Sequence, residues 1–180
     1  MPDLPRIYGS VVAAVVMLSA GSGAASGADR CDEFKWNVAT ERQLFATTPQ
    51  PVTAAPGGDL PPVLSVGRFY DLSLGPQAQV HFSPAPGKKS ATEGAYGGIA
   101  RVHIGEAGVY RVSLDVPVWV DMVDDGKLVA TDDYAGQAGC STPHKVVQFD
   151  LRSADLLLQF SGGTSEHVHL TITRAPPSGS

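Results

Sequence analysis

Apolar and polar side chains alternate with a period of two through most of the second half of the chain. Ala100, Val102 and Ile104 alternate with Arg101 and His103, and Tyr110, Val112, Leu114 and Val116 alternate with Arg111, Ser113 and Asp115. Such spacing places one side of an extended segment toward a core and the other away from it. Lys145, Val147, Phe149 and Leu151 share a face in a later run, Leu156, Leu158 and Phe160 in the next, and Val168, Leu170 and Ile172 in the last. Earlier, Tyr70, Leu72 and Leu74 share a face, and Val80 and Phe82 share one in the run that follows. Asp125-Gly126 predicts a two-residue hairpin turn between Val118 to Val123 and a return strand over Lys127 to Thr131, because a type I′ turn needs positive φ at both central residues. Only Val38 to Ala46 could turn helically, and it could equally be a strand continuing from Phe34-Lys35-Trp36. Nine or ten short strands at intervals of about 8 to 12 residues predict an all-β sandwich or barrel.

Two stretches lack this pattern. Pro49 to Pro62 holds five prolines and two glycines and reads as a linker-like loop, and Pro84 to Gly98 reads as a second flexible segment ending in Tyr96-Gly97-Gly98. They account for much of a content of 20 Gly and 14 Pro, about 19% of the chain against a usual share of about 12%. The N-terminus is different in kind. A start carrying Arg6, a charge-free apolar run from Val11 to Ala20 and small residues up to Ala28 have the layout of a secretory signal. The apolar run falls short of the ~20 residues that cross a bilayer. Cleavage is expected before Asp29, with a second candidate site at Ala25, and no Cys invites lipid modification there. Residues 29 to 180 then form a single domain without a membrane span, expected in the periplasm or outside the cell.

That destination gives the cysteines a meaning. Cys31 and Cys140 both lie in the mature part, and in an oxidising compartment one disulfide is their simplest use, the alternative being two unpaired thiols. The bridge would close a loop of about 109 residues, for which chain entropy gives about 4.7 kcal/mol. The charge balance, 13 Lys and Arg against 18 Asp and Glu for a net −5, argues against a sequence-independent grip on nucleic acid, which needs a basic face.

Candidate chemistry is sparse. His167 and His169 stand two apart on a strand, so both imidazoles point to one side and could meet one metal, but Glu166 points to the other side and no third ligand lies nearby. The plainer expectation is two imidazoles on a solvent face opposite Val168, Leu170 and Ile172. Asp121 and Asp124 flank the predicted hairpin, with Asp132 and Asp133 at the end of its return strand, level with residues 118 to 119. They could contribute to a calcium site, calcium being a ligand of six to eight oxygens, or serve simply as solvated turn residues. Trp119, Tyr96 and Tyr134 could line a ligand or sugar face, although aromatic residues in a sandwich more often fill its core. There is no Gly-x-Ser-x-Gly elbow, phosphate loop or dinucleotide fingerprint.

Gly108-Val109-Tyr110-Arg111-Val112-Ser113-Leu114, the Trp119-Val120-Asp121 run, Cys140, the strand Lys145 to Phe149 and the closing Leu158-Gln159-Phe160-Ser161-Gly162 resemble the jelly-roll accessory domains typified by bacterial prepeptidase C-terminal domains. That resemblance covers about residues 99 to 174 and implies an antiparallel β-sandwich of jelly-roll type. From Cys31-Asp32-Glu33-Phe34-Lys35-Trp36 with Glu41 and Phe45 onward, the chain also resembles small exported proteobacterial proteins, some labelled homogentisate 1,2-dioxygenase. This second resemblance implies a metal-dependent oxygenase whose iron would take His167 and His169. The residues themselves favour a non-catalytic envelope binding or accessory module, with an envelope protein, a glycan or calcium as its expected partner.

Overall fold

The structure, a computed structural model, describes residues 30–58, 60–88 and 93–176; the predicted signal segment lies outside them. Most of the alternating runs become strands, and the described residues hold twelve, where nine or ten were expected, arranged as two packed sheets. In chain order they are β1 (Gln50–Thr53), β2 (Val63–Leu64), β3 (Phe69–Ser73), β4 (Gly75–Pro76), β5 (Tyr96–Ile104), β6 (Gly108–Leu114), β7 (Trp119–Asp124), β8 (Lys127–Leu128), β9 (Asp133–Gly136), β10 (Lys145–Leu151), β11 (Ala154–Gly163) and β12 (His167–Arg174). The first sheet runs β1-β3-β12-β6-β10-β9 and the second β2-β5-β11-β7-β8, with β4 also paired to β5. Pairing is antiparallel throughout except for β1 on β3 and β2 on β5, so each sheet is mixed at one edge.

The two inner faces form one core. Tyr70, Leu72, Val112, Leu114, Phe149 and Ile172 from the first sheet meet Val102, Ile104, Val120, Met122, Leu158 and Phe160 from the second. Burying such side chains stabilises by roughly 1.5 to 3 kcal/mol each, an upper estimate against an extended unfolded chain.

Several local expectations are revised. The linker-like stretch contains β1, which pairs with β3 through Val52 and Leu72. Tyr96-Gly97-Gly98 opens β5 instead of closing a loop, and glycine is required there by close approach: a Cβ on Gly98 would stand 2.4 Å from the Ala54 Cβ. Val80 and Phe82 are not in a strand; a 3-10 turn, Gln77–Gln79, precedes them. The Asp125-Gly126 turn forms, with φ of 48° and 72°, but the return strand pairs only Leu128 and Lys127 with β7. The chain then crosses to the first sheet, where β9 pairs with β10.

The outer face of the first sheet is itself covered. Residues Arg30–Glu33 form a 3-10 turn and Ala39–Phe45 a helix, α1, which packs on β12. Val38, Glu41 and Phe45 face the sheet at helical spacing, and the Phe45 ring lies 4.9 Å from that of Phe69. Glu41 is 2% exposed; it accepts the Thr173 hydroxyl at 2.7 Å and lies 3.5 Å from the buried Arg111 guanidinium, which also donates to Gln148 and to the Asn37 carbonyl. Beside α1, Cys31, Phe34, Val38, Cys140 and Val146 make a second apolar cluster around the Cys31–Cys140 disulfide.

Two outcomes follow from this cap. Replacing Cys31 and Cys140 together by Ser lowers unfolding free energy by about 2 to 5 kcal/mol in urea titration. Glu41→Ala strands Arg111 and costs about 3 to 5 kcal/mol in the same assay, whereas Glu33→Ala, at an exposed pair with Arg30, leaves the urea midpoint close to that of the parent chain.

Candidate functional site

Among the described residues, two concave sites gather aromatic and cationic groups: one beside the disulfide, lined by Phe34, Lys35, Trp36 and Arg42, and one at the margin of the sheets, which is the candidate site. It opens between the sheets where β7 and β8 of one approach β9 and β10 of the other, and it encloses about 370 Å³. Val120 and Val147, one from each inner face, form part of its wall; Lys88, Trp119, Thr131, Tyr134 and Lys145 complete it. Because β8 pairs only with Val123 and Asp124, the Trp119 end of β7 has no strand on that side, and the crossing segment brings Thr131 into the gap. Tyr134 lies directly opposite Val147 across the β9–β10 pair, so it projects toward the same side while its ring remains exposed at 70%.

Two ammonium groups sit against one indole. The Lys88 and Lys145 nitrogens are 5.5 Å and 5.3 Å from the Trp119 ring centroid, within cation–π range. Lys145 donates to the Val118 carbonyl at 3.0 Å. Burial, and then the charge of Lys88, hold the Lys145 ammonium below the usual lysine range, with Asp121 opposing them. The Trp119 Nε1 is buried with no acceptor among the described residues. Of the three aromatic residues singled out in the sequence, Trp119 and Tyr134 therefore meet in one pocket. Tyr96 stands elsewhere, at the β4–β5 and β5–β11 pairings, partly buried against the core.

The aspartates do not assemble. Asp121 lies nearly buried on β7 and accepts the Gly87 N–H at 3.0 Å. Asp124 pairs with Arg152, and Asp133 pairs with Lys35, which holds its carboxyl below the usual range. Asp132 donates its N–H to the Gln148 carbonyl in the opposite sheet. The crossover after β8 is the reason: it carries Asp132 and Asp133 away from the hairpin that holds Asp121 and Asp124.

His167 and His169 do lie on one side of β12, which is interior to its sheet. Each is engaged by its own carboxylate through Nδ1, His167 with Asp71 at 2.9 Å and His169 with Asp115 at 2.6 Å. Among the described residues no group of three or more His, Cys, Asp or Glu is disposed to hold a metal. An oxygenase iron needs two His and one carboxylate on one ion, a set that the described residues do not bring together at His167 and His169.

Sequence reasoning missed Lys88, Lys145, Asp71 and Asp115. A signal existed for one of them, since Lys145 heads an otherwise apolar strand face. No family model matches the chain, and neither does any curated protein or solved structure.

The His167 pair yields a pH outcome. The Asp71 hydrogen bond, and then its charge, raise the imidazole above its ordinary value of about 6.5. A raised folded value means that the pair's contribution is complete below the ordinary value and is lost as pH climbs through the raised one. In NMR titration Asp71→Asn brings the His167 midpoint down, and an unmoved midpoint would show that the pair does not form in solution.

Proposed function

We propose that the chain is an exported, non-catalytic binding module of the cell envelope that holds a glycan in the pocket between Trp119 and Tyr134. Export is supported by the signal-like first 28 residues and by the disulfide, a bond that persists in oxidising compartments. No helix among the described residues is long and apolar enough to cross a membrane.

The pocket carries the reading. An exposed tyrosine ring, an indole wall and a threonine hydroxyl around about 370 Å³ match the general character of small-ligand sites, which are concave, largely apolar and fitted with a few polar groups. Aromatic faces suit the apolar side of a sugar ring, as they present area and a polar tip together. Catalysis is not supported by the same lining. Glycoside hydrolysis uses a pair of carboxyl groups flanking the bond, and none of Lys88, Trp119, Val120, Thr131, Tyr134, Lys145 and Val147 supplies one. A serine or cysteine nucleophile beside a histidine is equally missing from this set.

On a glycan array the processed chain retains a defined group of sugars. Tyr134→Ala lowers the affinity for them about tenfold without moving the thermal midpoint, because the ring is exposed. An array with no retained sugar, or binding indifferent to Tyr134→Ala, would end this reading.

A further inference from the structure

The pocket has donors and positive charge in excess of what the chain provides to match them. Neither Lys88 nor Lys145 forms an ion pair among the described residues, although both lie against the Trp119 ring. One Lys145 proton goes to the Val118 carbonyl. The buried Trp119 N–H has no acceptor in the described protein. Asp121 is the carboxylate whose charge reaches Lys145, but its Oδ2 takes the Gly87 N–H and its Oδ1 stands 3.0 Å from where a Cβ of Gly87 would lie. It packs against the chain at Gly87 and forms an ion pair with neither lysine. Two like charges brought to one indole leave a local positive centre that Asp121, held at Gly87 and in an ion pair with neither lysine, balances only in part.

Resting on the glycan reading above, we infer that this site selects an anionic sugar, its carboxylate or sulfate lying between Lys88 and Lys145 and its ring against Tyr134. An acid group there accepts charge-assisted hydrogen bonds from both ammonium groups and removes their mutual repulsion. Burial and Lys88 already depress the Lys145 ammonium, and a bound anion offsets both effects. The volume, about 370 Å³, accommodates a unit of one or two rings and lies at the lower end of ligand sites. Lysine presents a point charge and not a planar fork, so the site discriminates by charge more than by the geometry of the acid group. A carboxylated and a sulfated sugar therefore both serve as probes of the site.

Calorimetric titration of the processed, disulfide-intact chain with four probes tests this: oligogalacturonate, its methyl ester, a neutral galacto-oligosaccharide and its sulfated form. The expected result is that one or both acidic probes bind at least about tenfold more tightly than their uncharged counterparts. That gap narrows as salt rises. It closes in Lys88→Gln with Lys145→Gln, and closes in part in Lys88→Gln alone, an exposed position whose change leaves the fold intact. Equal affinity for charged and uncharged probes would overturn the charge inference while leaving the glycan reading in place. No binding by any of the four would overturn the charge inference, the glycan reading then resting on the array alone, and an acid preference that survives both lysine substitutions would overturn the placement of the anion.

Discussion

The Glu41–Arg111 pair is the contact on which the arrangement of the first sheet turns. Arg111 occupies an outward position of β6, where an exposed sheet face would let a guanidinium reach water. Here the N-terminal segment lies over that face, and burying a guanidinium without a counter-charge would cost several kcal/mol. Glu41, delivered by the first turns of α1, meets it, and Thr173, Gln148 and the Asn37 carbonyl complete the polar layer. The disulfide, Phe34 and Val38 then hold the segment down from one side and Phe45 from the other. A buried pair of this kind specifies where the cap sits more than it adds stability, because apolar residues of the same volume would pack there at least as favourably.

The second sheet solves the same problem with a different segment. Gln159 and Ser161 point outward from β11 yet are almost inaccessible, since residues 77 to 87 lie across them: Pro84 accepts from the Gln159 amide, Gly87 donates to Asp121, and Gln77 accepts the Gly162 N–H. The molecule is thus layered beyond its two sheets. The candidate pocket arises where that coverage stops, at the margin where β8 is too short to shield β7.

These layers explain what the sequence made legible. Strands β3, β5, β6, β10, β11 and β12 were visible because their inner faces alternate cleanly, and the hairpin was visible because Asp125-Gly126 admits one backbone geometry. The helix was ambiguous because one of its inward positions is Glu41, which a search for apolar spacing counts as outward. Tyr96-Gly97-Gly98 looked like a loop because a glycine demanded by a neighbouring Cβ is indistinguishable in sequence from one demanded by a turn. For the site, Trp119 and Tyr134 were legible as aromatics on a polar-aromatic side. Their joining depends on the crossover between sheets after β8, and no local pattern encodes which sheet the next strand enters. Asp132 and Asp133 were set level with the Asp121–Asp124 hairpin by local proximity, and the same crossover separates the two pairs; Tyr96, on β5, is kept from Trp119 by the intervening β11.

The disulfide also orders events in time. Cys31 lies at the start of the described chain and Cys140 stands 109 positions later. At a synthesis rate of about 5 to 20 residues per second, the first cysteine exists roughly 5 to 20 s before its partner. The surface that receives the cap needs β6, β10 and finally β12, whose Thr173 meets Glu41. The segment made first is therefore the segment that docks last, on a surface that is complete only once β12 has been made.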